Sequence, residues 1–168
     1  MDFLSHYESP VGTITLASDG ENLTGLRFCG QEHAESAFPD RNSTEKALPI
    51  FSQTKDWLDI YFSGKDPGFT PPLKIVGSEF QKSVLEILSK IPFGHSASYG
   101  EIAREIAEKS GKEFMSAQAV GGAVAHNPIF IIVPCHRVLG SSGKLTGYAG
   151  GIERKKFLLA LEEIPFKI

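Results

Sequence analysis

Apolar and polar positions alternate through the first thirty residues of the chain. Leu4–Tyr7, Gly12–Ala17 and Leu23–Phe28 read as strands, separated by the turn-forming Ser9-Pro10 and Asp19-Gly20-Glu21-Asn22. Thr13, Thr15 and Ala17 alternate with Ile14 and Leu16, the pattern of a half-buried antiparallel meander. Gln31 to Glu45 is polar and predicts no element. Leu48, Phe51, Trp57, Leu58, Tyr61 and Phe62 then recur at near-helical spacing and stop at Ser63-Gly64. The pattern predicts a small α+β domain over residues 1–63, with a three-stranded antiparallel sheet and one helix.

Pro67, Gly68, Pro71 and Pro72 mark residues 64–77 as a linker. Beyond it, over residues 78–168, the period becomes helical. Ser78-x-x-Gln81 and Ser98-x-x-Glu101 both have the form of a capping box, which satisfies the orphan donors of a helix start. The first opens the stripe Phe80, Val84, Leu85, Leu88 and Ile91, and the second opens Ile102, Ala103 and Ile106. After a polar turn, Ser116 to Ala125 forms a third helix made mostly of small residues, so that something can approach its backbone closely. Asn127-Pro128 stops it, because a residue before proline is pushed out of the α region. Ile129–Val133 is a short apolar run expected to be buried, and a last helix covers about Ile152–Glu163. Two short helices joined by a turn also form the outline of a helix-turn-helix. The fold class expected is α+β, with a mostly helical second domain.

Composition narrows the setting. The 168 residues are 41% hydrophobic and 22% charged, as in globular domains with a core. No apolar run reaches the roughly 18–20 residues that would span a bilayer. Met1–His6 lacks the basic and apolar regions of a secretory signal. Two cysteines, Cys29 and Cys135, form neither a disulfide framework nor a four-thiolate zinc site. A reducing, cytoplasmic setting is the expectation. The net charge is −3, but it is unevenly spread. Residues 1–78 carry 6 basic and 11 acidic side chains, and residues 79–168 carry 11 and 9. Within Met115–Leu161, Arg137, Lys144, Arg154, Lys155 and Lys156 face only Glu153. That asymmetry permits a polyanion-facing surface on the second half without requiring one.

The candidate chemistry lies in Pro134-Cys135-His136-Arg137-Val138. An ordinary thiol, with a pKa of about 8.5, is only a few per cent thiolate at neutral pH. Lowering that value by about 1.5–2 units corresponds to about 2–3 kcal/mol, which an imidazole, a guanidinium or a helix N-terminus could supply. The alternative is a buried, inert cysteine. Adjacent side chains point apart on a strand, so His136 would need a turn or a water to reach the sulfur.

The wider context is Ala119-Val120-Gly121-Gly122-Ala123, Asn127-Pro128, Ile131 through Val138, Gly147-Tyr148-Ala149-Gly150-Gly151 and Lys155 to Glu162. It resembles the O6-alkylguanine-DNA alkyltransferase family, whose active-site signature is the Pro-Cys-His-Arg-Val string. The similarity runs from about Phe80 to Glu162. Residues 1–63 are compatible with the family's variable ribonuclease H-like domain. The resemblance implies a winged helix-turn-helix in the second domain and a monomeric DNA repair protein without a cofactor. It would bind double-stranded DNA containing O6-alkylguanine and flip the base. The alkyl group would then pass once, irreversibly, to a cysteine, with O4-alkylthymine as a second substrate class.

By motif position, the resemblance makes Cys135 the nucleophile, His136 its base through a water, and Glu162 the carboxylate that holds the imidazole. Tyr148 would assist the departing guanine O6, and Asn127 would brace the turn before the active-site strand. Gln81, Tyr99, Gly100, Ala117, Gln118, Gly121 and Ser141 fall at DNA-binding positions, and Val124, Phe130, Val138 and Ala149 at the alkyl pocket. Gln118 stands where many members carry an arginine finger, and it brings no positive charge. The turn around Lys109–Met115 is several residues longer than in the human-type pattern. Phe130 replaces smaller residues and would favour methyl over bulky adducts.

Some relatives hold zinc in the first domain, but Cys29, His6 and His33 make no credible ligand set, so no metal is expected. Two readings compete with the transferase. One is a binding-only protein that recognises alkylguanine without repairing it, which would lack the reactive cysteine. The other is a winged-helix regulator with an incidental Cys-His pair. A cysteine hydrolase has no loop pattern here to supply an oxyanion hole.

Overall fold

The computed structural model describes residues 2–30 and 44–168; His33 and most of the polar stretch lie outside them. The chain divides into two compact units. The first comprises residues 1–76 with Pro128–Phe130, and the second comprises Gly77–Asn127 with Ile131–Ile168.

In the first unit, β1 (Phe3–Ser9), β2 (Gly12–Ser18) and β3 (Leu23–Phe28) form the expected antiparallel meander. The alternation in β2 ends at a register shift between Ala17 and Ser18, where both residues are buried. A fourth strand, β4 (Thr44–Glu45), pairs in parallel with β1, giving the order β3-β2-β1-β4. Both of its residues are polar and exposed, so no hydrophobic pattern announces it. Helix α1 (Pro49–Phe62) packs on this sheet through Phe51, Leu58 and Tyr61, with proline at its start, where a missing N–H costs nothing.

The stretch expected as a linker, residues 64–77, carries hydrogen bonds to the first unit. Leu23 N–H donates to Pro72 O at 2.8 Å, Lys74 N–H to Leu23 O at 3.0 Å, and the Trp57 indole to Phe69 O at 2.8 Å. Prolines suit an edge that accepts bonds and needs few donors. Ile129 makes an isolated parallel bridge with Leu26.

In the second unit, α2 (Glu79–Ser89), α3 (Tyr99–Ser110), α4 (Ala117–Ala125) and α5 (Ile152–Leu161) account for the helical pattern. Ser78, Ser98 and Ser116 each accept a backbone N–H of the helix they open, supplying one of its missing acceptors. The capping box at α2 is only half formed, because the Gln81 side chain donates to His126 O at 3.0 Å instead of returning to Ser78. Gly111 ends α3 in the left-handed region (φ 67°) that glycine adopts without strain. The turn from α3 to α4 is residues 111–116. Strand β5 (Ala97–Ser98) pairs in parallel with β6 (Val138–Leu139), tying the start of α3 to the segment after the cysteine.

The segment expected to be an active-site strand is not one. Ile129–Val133 is buried as predicted, but Ile131 has φ 68°, and Cys135–Arg137 forms one turn of 3₁₀ helix. A β-branched residue at positive φ costs of order 1–3 kcal/mol, which the surrounding packing must supply. The last helix also ends one residue before Glu162, which occupies its C-cap.

Candidate active site

Cys135 and His136 follow each other on the 3₁₀ turn, where successive side chains need not point to opposite faces as on a strand. The turn is held from behind. Asn127 Nδ2 donates to Val133 O at 2.8 Å, and Cys135 N–H donates to the same carbonyl at 2.8 Å. Asn127 is fully buried, so its amide is a structural brace between the end of α4 and the turn.

His136, Arg137 and Glu162 form one buried cluster. His136 Nε2 bonds to Glu162 Oε2. Arg137 Nε donates to Glu162 Oε1 at 2.7 Å, and Gly94 N–H donates to the same oxygen at 3.1 Å. Arg137 Nη1 donates to Ile91 O at 2.7 Å, and its guanidinium lies 5.8 Å from the centre of the Phe93 ring. A carboxylate only accepts, so His136 carries its proton on Nε2, and Nδ1 is the acceptor of the ring. Burial pulls the imidazole below its ordinary range; Glu162 opposes this, while Arg137 and Lys155 add to it. The ring is therefore neutral at physiological pH.

The cysteine is 3% exposed. Burial pushes its thiol up to about 11, against hydrogen bonding to Asn127, the charge of Lys155 and hydrogen bonding to Tyr148. The resting sulfur is thus a protonated thiol at neutral pH. Lys155 is completely buried, and its ammonium spends all three donors, on Val138 O at 2.7 Å, Thr146 Oγ1 at 3.1 Å and Gly147 O at 3.3 Å. Burial lowers it to about 8, and the neighbouring Cys135 works the other way. It ties the residue after Arg137 to the segment that carries Tyr148.

Of the residues singled out in the sequence, Cys135, His136, Glu162, Tyr148 and Asn127 come together here. Tyr99 is half-buried: its ring lies 3.8 Å from where a side chain on Gly121 would begin, and its hydroxyl accepts from Thr146 Oγ1 at 3.5 Å. Ala117 and Gln118 are exposed on α4, Gly100 on α3 and Ser141 on the loop after β6. Val124 and Val138 are buried and Ala149 is half-buried. Phe130 lies in the core of the first unit, edge-on to Phe28 at 5.7 Å with the Arg27 guanidinium 5.7 Å from its ring centre. Among the described residues no group of three His, Cys, Asp or Glu side chains is placed to hold a metal, and no helix is long and apolar enough to cross a membrane.

Sequence reasoning counted Arg137 and Lys155 among the basic residues and gave neither a fixed place in the site. For Lys155 a signal existed: with Leu158 and Leu159 it shares the i, i+3, i+4 face that α5 buries.

The architecture and the site define a helix-turn-helix unit with a built-in thiol–imidazole–carboxylate set, preceded by a small sheet-and-helix unit. Two family models cover nearly the whole chain: the ribonuclease-like domain of 6-O-methylguanine DNA methyltransferase over residues 3–75, and the DNA binding domain of the same family over residues 79–164. The chain belongs to the 6-O-methylguanine DNA methyltransferase family. It is 46% identical over 161 residues to the methylated-DNA–protein-cysteine methyltransferase of Mycobacterium tuberculosis, covering 94% of this chain and 92% of that one. The enzyme of the same name from Haemophilus influenzae is 39% identical over 165 residues, covering 98% and 88%. The crystal structure of Mycobacterium tuberculosis OGT in complex with DNA superposes with a TM-score of 0.83 at 44% identity, over 96% of this chain and 92% of that one.

Proposed function

We propose that this protein is a DNA repair methyltransferase that removes the methyl group from O6-methylguanine in duplex DNA and keeps it on Cys135. The observation that carries the assignment is the buried set of Cys135, His136 and Glu162 in a chain that belongs to this family. The thiol proton passes to His136 Nδ1, by way of a water where the gap requires one. The sulfur then attacks the methyl carbon, forming the S–C bond as the bond from carbon to guanine O6 breaks. Guanine leaves as an anion and regains a proton, which balances the one taken by His136. Tyr148 steadies the charge growing on O6 by hydrogen bonding, and Glu162 stabilises the imidazolium. Freeing the sulfur again would require a nucleophile to take the methyl group and expel the thiolate, a poor leaving group from a neutral thioether, so each molecule acts once.

The target atom is stacked inside a duplex, and reaching it calls for rotation of the nucleotide out of the helix. This costs a few kcal/mol, least for a poorly paired base. The exposed small residues of α4, Ala117, Ala119 and Gly122, let that helix lie close to a groove. Gln118 fills the vacated space by hydrogen bonding without a charge. Val124, Val138 and Ala149 contribute apolar walls for the methyl group.

Peptide mass spectrometry after incubation with a duplex holding one O6-methylguanine is expected to show a single, stoichiometric methyl on the peptide containing Cys135. Lesion binding without modification would replace the transferase by the binding-only reading.

The neutral imidazole also sets a pH limit. The single-turnover rate is expected to hold as pH falls from 8 to about 6.5 and to decline only below it, because burial depresses His136. The native state loses stability over the same acid range, since the unfolded chain then binds a proton that the buried ring refuses. A rate that is already halved at pH 7 would contradict a depressed base.

A further inference from the structure

Of the five basic residues between Met115 and Leu161, four are buried or engaged. Arg137 and Lys155 are buried, Lys156 pairs with Glu153 at 3.3 Å, and Arg154 Nη1 donates to Gly150 O at 3.0 Å. Lys144 remains, exposed, in the loop that follows β6. The chain's last residues come back to that loop. Lys167 N–H donates to Gly143 O at 2.9 Å, and Leu145 N–H donates to Lys167 O at 2.6 Å, so that Lys144 and Lys167 are partners in a parallel bridge. The return is anchored by Phe166 and Leu145, which pack on the buried Leu139, Leu159 and Ile164.

Partners in a parallel bridge place their side chains on the same face, one strand spacing apart. Two exposed lysines therefore leave the bridge on the same face, where their charges repel unless an anion lies between or above them. Neither lysine is within ion-pair distance of a carboxylate among the described residues. The loop itself is tightly set. Gly140 N–H donates to Lys144 O at 2.8 Å, and a side chain at Gly140 would meet that carbonyl at 3.3 Å and Thr146 at 3.0 Å. Because β6 pairs with β5, which runs directly into α3, the loop is registered on the start of the helix-turn-helix.

We propose that Lys144 and Lys167 form a phosphate clamp, in which the carboxyl-terminal segment supplies half of a contact with the backbone of duplex DNA beside the helix-turn-helix. The inference rests on the DNA reading above and adds a contact contributed from outside the helices.

Each phosphate contact steepens the salt dependence of binding by about 0.9 in the slope of log affinity against log salt. Binding of a short fluorescent duplex to the full-length wild-type protein, titrated over a range of salt, gives the reference. Lys144→Gln and Lys167→Gln are each expected to lower the slope by about 0.9 and, at 0.1 M salt, to weaken binding about eightfold. Lys65→Gln, an exposed lysine of the first unit, serves as the charge-matched control and is expected to leave the slope unchanged. A double Lys144→Gln/Lys167→Gln variant with the wild-type slope would overturn the clamp, as would an equal drop for Lys65→Gln. A wild-type protein without salt-dependent duplex affinity would instead overturn the DNA reading, and the clamp with it.

Discussion

Replacing Cys135 by serine is expected to abolish methyl transfer, by at least about 10⁴-fold in single-turnover rate, while leaving the fold and lesion binding intact. The substitution changes one atom at a site that is 3% exposed, so it neither opens a cavity nor adds volume. The hydroxyl accepts the same hydrogen bonds from Asn127 and Tyr148 that the sulfur does. What is lost is nucleophilicity, since a hydroxyl is far harder to ionise than even a thiol pushed up to about 11. Intact mass after incubation with methylated duplex reads the result directly. A methyl appearing on Cys29 would move the reaction to the other sulfur, which is exposed at the end of β3 with Thr15 Oγ1 at 3.3 Å.

Glu162→Gln is expected to reduce both stability and rate, for separable reasons. The carboxylate accepts from His136, from Arg137 and from Gly94 in a site closed to water. Neutralising it leaves the Arg137 guanidinium buried without its counter-charge, at a cost of about 3–5 kcal/mol. An amide in that place also has one acceptor oxygen for three donors. Where its NH₂ faces the ring, it forces the proton onto Nδ1 and removes the base, and a loss of about 10²–10⁴-fold in rate follows. The double variant Arg137→Met/Glu162→Gln divides the two effects. It is expected to recover much of the thermal stability, because no buried cation remains unpaired, and none of the transfer rate. Recovery of the rate along with stability would show that Glu162 acts only as a structural partner of Arg137.

The sequence was most legible where the physics is local. The serines at 78, 98 and 116 announce helix starts because a hydroxyl satisfies an N–H two or three residues on, and all three do so. The signature string and its flanks pointed, by resemblance, to Cys135, His136 and Glu162, and the structure brings the last two into contact. Even here Gln81 departs from its local promise, reaching 45 residues along the chain to His126 instead of closing its own capping box. Within the linker expected over 64–77, Pro72 and Lys74 pair with Leu23 for a related reason: proline and glycine reveal that a helix cannot continue, but a paired edge and a free loop tolerate them equally.

By itself, then, the sequence determined the meander β1–β3 and the helices with the serines that open three of them, but not β4, β5, β6 or the 3₁₀ turn at Cys135. What it determined depends on neighbours within a few positions. Only the tertiary structure decided which charges are spent inside and which remain for a partner. Lys144 and Lys155 look alike in one basic stretch, yet Lys155 is buried and consumed by three acceptors, while Lys144 is exposed and set beside Lys167. It also decided that Glu162 serves His136 and Arg137 together, across 26 and 25 residues of chain. A charge takes its meaning from desolvation and from the groups that meet it, and both are set by the packing of segments distant in sequence.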